Sequence, residues 1–526
     1  MKIGIKYCGG CNPRFNRKSI VERLERDLPE AEIFVAKETK VADWFVVICG
    51  CTNGCATHDD LVGTCGKFII TSYKDYPGML EKIKEYYKNK EVKRNMWKET
   101  YQSKLTTAEE AVKLIKSGDR VIIGHAVGEP SYLVEAMVAN AAAYENVEIV
   151  HMVAMGKCEY CKPEYEKNFR HNALFVGGGT RKAVEEGRAD FTPIYFSKIP
   201  SLIESWQPEV ALVTVTPPDE EGFCSLGISV DYTYAAAKSA KTVIAQVNNC
   251  MPYTYGNSKI HVDDITCFVE HDAPIIELPE PPIGDIEREI GRYCAELIND
   301  GDCLQLGIGA IPDAVLSFLH DKKDLGIHSE MFSTGVVQLA KEGVINNSKK
   351  TLHPGKFVAN FLMGTQTLYD FADHNPDVEM YPADYVNDPY VVGQNDNLVS
   401  INSCVEVDLM GQVVSTCIGP KQISGVGGQV DFVRGSQLSK GGRSILAMPS
   451  TVKGKASKIV PLIAEGAAVT TSRYDVHYIV TEYGIADLKG QTLKERARRL
   501  IKIAHPDFRA ELIEYFENKF KCKYED

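Results

Sequence analysis

The chain has 526 residues, and chains beyond roughly 250–300 residues divide into domains, so about three domains are expected rather than one core. Hydrophobic residues make up 44% and charged residues 25%, the balance of a soluble globular protein, and no apolar run of about 18 residues is present to span a membrane. A net charge of −12 excludes a general nucleic-acid binder, which needs a basic surface, and leaves room for a local basic pocket.

The first block, residues 1–95, opens on MKIGIKYCGG, which meets cysteine and glycine before any stretch of signal-peptide length. A cytoplasmic protein is therefore expected, and its sixteen cysteines read as thiols, redox groups or metal ligands rather than a secreted disulfide framework. The pattern here is strand, Cys8 and Cys11, then helix. The strand WFVVI follows, then Cys49, Cys51 and Cys55, with Cys65 ahead of the strand KFIIT. Four of these thiolates would suit zinc or an iron–sulfur cluster, and the strand–CxxC–helix order would equally suit a thioredoxin-like redox site. A docking or oligomerisation domain with unliganded thiols is the third reading, and spacing leaves all three open. The block ends in the charged run EKIKEYYKNKEVKRNMWKE, which reads as a solvated helix or connector.

Two further blocks, 100–285 and 286–526, read as related lobes. In the first, Thr107 caps a helix whose Ala111, Leu114 and Ile115 share a face; Gly118 stops it, and VIIG is a short buried strand. The same unit returns at REIGRYCAELINDGDCLQLGIGAIPDAV, where Gly301, Asp302 and Gly307 match Gly118, Asp119 and Gly124, and Pro312 falls near Pro130. EGFCSLG (221–227) is echoed by MGQVVSTCIG (410–419) at a similar offset. A duplication of this length points to two lobes and not to a solenoid. Short apolar runs such as VALVTV alternate with helical stretches such as TRKAVEEGRA, which favours an α/β fold with largely parallel sheets. In such sheets ligands gather at the carboxyl ends of strands, so a site between the lobes is expected.

Three segments have the composition of a site. In QLGIGAIPDAV (305–315) a strand ends at Leu306, Gly307 and Gly309 allow a tight turn, and Pro312 opens a helix: either an anion-binding turn or a structural one. In GIHSEMFSTG (326–335) Glu330 stands among small and apolar residues, and spacing alone leaves it on the surface. His328, two residues before it, would face the same side on a strand and orient it, or simply pack. In 415–450, Gly425, Gly427 and Gly428 leave backbone open to a ligand, and Lys421, Arg434, Lys440 and Arg443 make the most basic stretch of an acidic chain. Glu482, Asp487 and Arg496 read as structural ion-pairing groups. Gln246, Asn248 and Asn249 follow a strand of the first lobe and are weaker candidates for the acyl site.

Taken in order, PPDEEGFCSLG (217–227), LGIGAIPDAV (306–315), GIHSEMFSTG (326–335), NDNLVSINSCVEVDLMGQV (395–413), ISGVGGQVDFVRG (423–435) and VTEYGIADLKG (480–490) resemble the acetyl-CoA hydrolase/transferase family. The likeness spans residues 100–526 and leans to the family's 4-hydroxybutyrate and butyrate:acetate CoA-transferases. It implies two class I CoA-transferase lobes, with Glu330 as the nucleophile that forms a glutamyl-CoA thioester. It also implies a CoA site lined by Gln305, Gly307, Ile308, Gly309, Ala310, Ile311, Lys421, Gly425, Gly427 and Gly428. Acyl-CoA and a short-chain acid such as acetate, butyrate or 4-hydroxybutyrate would be the substrates, with no tightly bound cofactor and a homodimer or higher oligomer as the assembly. Two alternatives stand beside it: an acyl-CoA hydrolase using the same glutamate, and a non-catalytic CoA-binding or metal-sensing protein. Cys158 and Cys161 depart from the family's pattern, in a loop where a small or apolar pair is expected, and block 1–95 lies outside the family's usual extent.

Overall fold

A computed structural model describes residues 1–8, 15–36, 41–49 and 61–525, which form two compact units, Met1–Lys98 and Glu99–Asp526. Strands β1 (Lys2–Tyr7), β2 (Glu32–Val35), β3 (Trp44–Ile48) and β4 (Gly66–Ile70) of the first unit form a parallel sheet in the order β2-β1-β3-β4. The interior strand β3 is buried at every residue, as a strand covered on both faces must be. The helix Lys18–Asp27 turns Ile20 and Leu24, one helical turn apart, toward this core, and the 29-residue helix Asp75–Ser103 adds Tyr76, Met79 and Ile83.

This sheet separates the cysteines. Cys8 and Cys49 follow neighbouring strands, with Cys8 N–H donating to Ile48 at 3.1 Å, and both are buried. Cys65 precedes β4 and so lies at the opposite end of the sheet, about 16 Å away along a five-residue strand. The expectation that Cys65 shares a site with the other two is corrected: parallel strands carry their starts and ends to opposite edges. Cys11, Cys51 and Cys55 lie outside the described residues.

In the second unit, the first lobe holds β5 (Arg120–Ile123), β6 (Val147–His151), β7 (Phe169–Ala173), β8 (Ala189–Phe191), β9 (Val210–Val215), β10 (Thr242–Val247) and β11 (Cys267–Glu270). They make a fully parallel sheet in the order β11-β10-β9-β5-β6-β7-β8. The second lobe holds β12 (Cys303–Leu306), β13 (Gly326–Ile327), β14 (Leu398–Ser403), β15 (Arg443–Ala447), β16 (Tyr478–Thr481) and β17 (Gly484–Asp487), in the order β13-β12-β14-β15-β16-β17. Only β17 runs antiparallel to its neighbour. Without β7, β8 and β17, the two sheets have one topology: five parallel strands in the order second, first, third, fourth, fifth.

The duplication extends to single hydrogen bonds. Gly118 and Gly301 both take φ +81°, and the carboxylates of Asp119 and Asp302 accept from the backbone N–H three residues earlier, at 2.7 and 2.6 Å. Asp219 accepts from Glu221 and Phe223 N–H at 2.9 and 3.0 Å. Asp408 does the same for Met410 and Gln412, both at 2.9 Å, and the glycines inside these turns, Gly222 and Gly411, sit at φ +87° and +86°. One difference from the sequence reading lies at the first helix. Thr107 caps it, but the α-helix ends at Ala111 and tightens into a 3₁₀ turn, so Val112 and not Leu114 joins Ala111 and Ile115 in the core.

The lobes are joined in sequence by residues 271–284, which carry no helix or strand and expose Pro279–Pro282. In space they meet edge to edge: Asn360 carbonyl accepts from Val230 and Asp231 N–H at 2.9 and 3.1 Å, and Leu362 N–H donates to Ile228 at 3.0 Å. Among the described residues no helix is long and apolar enough to cross a membrane.

Candidate active site

Glu330 stands at this seam. Strand β13 ends at Ile327, whose carbonyl is held by the Lys350 ammonium at 2.8 Å, and Ser329 Oγ ties the next turn to Leu306 carbonyl at 3.1 Å, at the carboxyl end of β12. The Glu330 carbonyl then accepts from Asn360 and Phe361 N–H at 3.1 and 3.3 Å, the same two residues that pair with the first lobe. Backbone bonds thus fix the glutamate on both sides of its Cα.

Its carboxylate faces the glycine loop. Asn387 Nδ2 donates to Oε2 at 2.8 Å, and Gly428 N–H also donates to the carboxylate. Asn387 is held for this task, because its own Oδ1 accepts from Asn360 Nδ2 at 2.7 Å. A Cβ on Gly428 would fall inside the contact distance of both Glu330 Oε2 and Asn387 Nδ2, so only glycine allows this approach. Gly427 sits at φ +54°, in the left-handed region, and a Cβ on Gly425 would lie 2.8 Å from Leu174 carbonyl at the carboxyl rim of the first lobe.

Burial pushes the Glu330 carboxyl up to about 8; Asn387 and Gly428 pull it back, while the carboxylates of Asp431 and Asp231 add to the rise. Asp431, in the first turn of the helix Gln429–Leu438, is itself pushed up to about 6 by burial against two bonds from Ser197 at 2.9 Å. Asp231 pairs with His125 Nδ1 at 3.0 Å, both fully buried. The result is a carboxylate in a poorly solvated setting, short of cations and held by two fixed donors. Such a group is basic for its kind, and charge developing on the carboxylate would meet hydrogen bonds already in place.

The other predicted residues divide. Gly307, Gly309 and Ala310 form an open turn after β12, with Gly309 at φ +115° and no atom near where a Cβ would stand on either glycine. The helix begins at Ala310 and not at Pro312; Ile308 shares the turn's partial exposure, while Ile311 is buried. Gln305 is buried and pairs amide to amide with Asn402 at 3.0 and 3.2 Å.

Lys421, exposed on a small hairpin, pairs with Glu185 at 2.7 Å. Arg434 lies over the Tyr195 ring and 3.5 Å from Asp475. Lys440 follows the far end of the helix that Gly428 begins. Arg443 opens β15 and pairs at 2.6 Å with Asp302, at the amino edge of the sheet and away from the glycine turns. Basic composition here does not make a basic pocket, since these side chains face different ways.

His328 does not orient the glutamate. The strand ends before it, its ring enters the core with Nε2 on Val386 carbonyl at 2.9 Å, and burial pushes its pKa down to about 3. Gln246 accepts from Tyr132 N–H in the first turn of the helix Ser131–Ala139, while Asn248 on Ala273 carbonyl and Asn249 on Asp272 brace a loop. Glu482 holds Ser450, Arg496 binds Arg473 carbonyl, and Asp487 accepts from Lys489 N–H, as structural groups do. Cys158 and Cys161 are buried thiols, pushed up to about 11 and about 12 by burial.

A family model described as the acetyl-CoA hydrolase/transferase N-terminal domain matches residues 89–279, and one for the C-terminal domain of the same family matches 364–516. The 4-hydroxybutyrate coenzyme A transferase of Clostridium kluyveri is 61% identical over 427 residues, covering 81% of this chain and all of that protein. The chain belongs to the acetyl-CoA hydrolase/transferase family.

As a member of that family it is an enzyme of the CoA-transferase kind. The butyryl-CoA:acetate CoA-transferase of Anaerostipes caccae is 40% identical, covering 79% of this chain and 96% of its own length. Among solved structures, 4-hydroxybutyrate CoA-transferase from Porphyromonas gingivalis matches with a TM-score of 0.71 at 44% identity, covering 81% of this chain and 100% of its own. RipA from Yersinia pestis matches with a TM-score of 0.77 at 38% identity, covering 81% and 99%. Residues 2–87 match a separate model described as an uncharacterized protein family.

Within the family fold, sequence reasoning missed Asn387, Asn360, Asp231 and Asp431. Asn387 lies 57 residues after Glu330, in the plain run YVNDPY, and no spacing rule singles it out. Asp431 was nearer to hand, as a carboxylate three residues after the glycine loop at the start of a helix.

Proposed function

We propose that this enzyme moves CoA between a short-chain acyl-CoA and a carboxylic acid through a glutamyl-CoA thioester on Glu330. The observation that carries the reading is the carboxylate of Glu330, half-buried at the seam of the lobes and held by hydrogen bonds from Asn387, on Oε2, and from Gly428. A carboxylate Oε attacks the thioester carbonyl, the C–S bond breaks, and CoA leaves as thiolate beside a mixed anhydride. The thiolate attacks the glutamyl carbonyl, the acyl carboxylate leaves, and Glu330 carries CoA as a thioester. An incoming acid repeats these steps in reverse, so the thioester is never surrendered to water.

In the second step negative charge builds on the glutamyl oxygen, and the Asn387 amide and Gly428 N–H form the hole that receives it. The open turn at Gly307–Ala310, beside β12, is the proposed place for the CoA arm, whose remote contacts supply binding energy to the reacting centre. Support for a short-chain acid comes from the 4-hydroxybutyrate and butyrate enzymes that the chain resembles. A homo-oligomer in the cytoplasm completes the proposal, with the first unit's cysteines serving as metal ligands, as a redox site, or as unliganded thiols of a docking domain.

The test is incubation with an acyl-CoA followed by mass spectrometry of the Glu330 peptide. A CoA adduct on Glu330, and exchange reduced at least ~1000-fold in Glu330→Gln, are expected. Full exchange in that variant sinks the reading. Free CoA released equally with and without an acceptor acid would make the enzyme a hydrolase instead.

A further inference from the structure

Two neighbouring residues of the first lobe reach the glycine loop beside Glu330. Phe196 and Ser197 begin the 3₁₀ turn Phe196–Lys198, which runs directly into the helix Ile199–Trp206, anchored by its buried Ile199 and Ile203. Phe196 N–H donates to Gly427 carbonyl at 3.3 Å. Ser197 N–H and Oγ donate to the two carboxylate oxygens of Asp431, each at 2.9 Å. Upstream, Arg181 Nε and Nη2 donate to Ile423 carbonyl at 3.2 and 2.8 Å. The first lobe therefore holds this segment at Ile423, Gly427 and Asp431, and Phe196, Ser197 and Asp431 are all buried.

The hold on Gly427 bears on the chemistry. Gly427 carbonyl and Gly428 N–H are the two ends of one planar trans peptide unit and point in opposite directions. Phe196 holds one end, and the other donates to Glu330. With glycine on both sides and Gly427 at φ +54°, this peptide has little conformational preference of its own, so its direction is set from outside. Phe196 also packs its ring on Phe361, with centroids 6.2 Å apart, and Phe361 N–H donates to Glu330 carbonyl. One short turn thus touches both the backbone brace of the glutamate and its donor.

We propose that Phe196 and the Ser197–Asp431 pair position the oxyanion donor: they turn Gly428 N–H toward Glu330, so that the first lobe completes a hole carried by the second. The inference rests on attack by Glu330 and adds what aims its donor. Phe196, Ser197 and Asp431 are positioning residues, acting through the Gly427–Gly428 peptide. Asp431 lies in the first turn of the helix that Gly428 caps, so slack at Asp431 passes to Gly428 through less than one helical turn. A misplacement of about 1 Å in a reacting site costs on the order of 10²-fold in rate. A donor that meets charge developing in the transition state bears on kcat rather than on acyl-CoA KM.

The experiment measures steady-state exchange between acetyl-CoA and butyrate at a pH above about 8, where Glu330 is ionised and loss of the Asp431 charge does not act through titration. In Asp431→Ala kcat is expected to fall about 10- to 100-fold, with acyl-CoA KM within about twofold of wild type. Asp431→Asn keeps both contacts, its Oδ1 accepting from Ser197 N–H and its Nδ2 donating to Ser197 Oγ, and is expected to recover kcat to within about threefold of wild type. Ser197→Ala loses only the hydroxyl bond, and a fall of about 3- to 10-fold in kcat is expected. The double variant is expected to be no slower than Asp431→Ala alone, because the pair acts as one unit. Ser197→Ala and Asp431→Asn carry the test where Asp431→Ala does not fold. Unchanged kcat in Ser197→Ala, a loss confined to KM, an asparagine variant slower than Ser197→Ala, or losses that multiply in the double variant overturns this inference alone. Full exchange in Glu330→Gln, or no exchange with any short-chain acid in the wild type, overturns the proposed function together with it.

Discussion

At the scale of residues, the pairing of Glu330 with Asn387 has sharp consequences. Asn387→Leu removes a fixed donor from the oxygen where charge develops. A fall of about 10²–10³ in kcat with little change in acyl-CoA KM is expected, as for loss of one oxyanion donor, measured in steady-state exchange assays. The raised Glu330 carboxyl sets a pH profile for the proposed mechanism: only its ionised form could attack, so free-enzyme kcat/KM should climb as pH rises and level off above about 8. Stability runs the other way. A carboxyl whose folded pKa lies above its unfolded value favours folding at low pH, and that contribution is lost as pH rises from 4.5 through about 8. Glu330→Gln, which cannot ionise, should therefore gain melting temperature relative to wild type as pH goes from 5 to 8, by about 1 °C per kcal/mol for a unit of this size. A difference between the two melting curves that stays constant with pH would contradict the burial of this carboxyl.

At the scale of elements, the twin turns explain what the sequence could and could not disclose. Gly118 and Gly301 were legible because a left-handed turn leaves a glycine behind, and the buried runs VALVTV and WFVVI were legible because parallel strands are apolar throughout. Glu330 was not legible from spacing: a strand two residues long with a turn after it gives no periodicity, and the enclosure comes from Asn360, Asn387 and Gly428, far away in the chain. The same gap left His328 open between orienting the glutamate and packing, because its direction depended on where that strand stopped. Arg443 looked like part of a basic pocket only because sequence proximity hides that a strand start and a glycine turn belong to opposite edges of a sheet. The turns also carry measurable weight. Asp408 is fully buried and accepts from Met410 N–H, Gln412 N–H and Gln412 Nε2, so Asp408→Ala strands buried donors. It should cost about 1–3 kcal/mol, read as a lowered midpoint in urea.

At the scale of the whole molecule, the second unit is one five-strand pattern used twice, and only one copy carries Glu330, the proposed nucleophile. The first lobe contributes Asp231, Ser197 and the rim around Leu174 to the surroundings of Glu330 and the glycine loop in the second. The connection between the copies is the exposed stretch Pro279–Pro282, which takes part in no helix or strand, whereas in space they are joined by residues 228–231 against 360–362, by Tyr255–Gly256 against Glu379–Met380, and by Ser197 on Asp431. Covalent continuity and assembly are thus separate properties of this enzyme. Severed between Pro281 and Pro282 and expressed as two polypeptides, the halves should co-purify and retain exchange activity; halves that stay apart would show that the tether, and not the seam, holds the site. A protein arranged in this way is already a heterodimer in all but its open reading frame, and a stop and a start at that point would make it one.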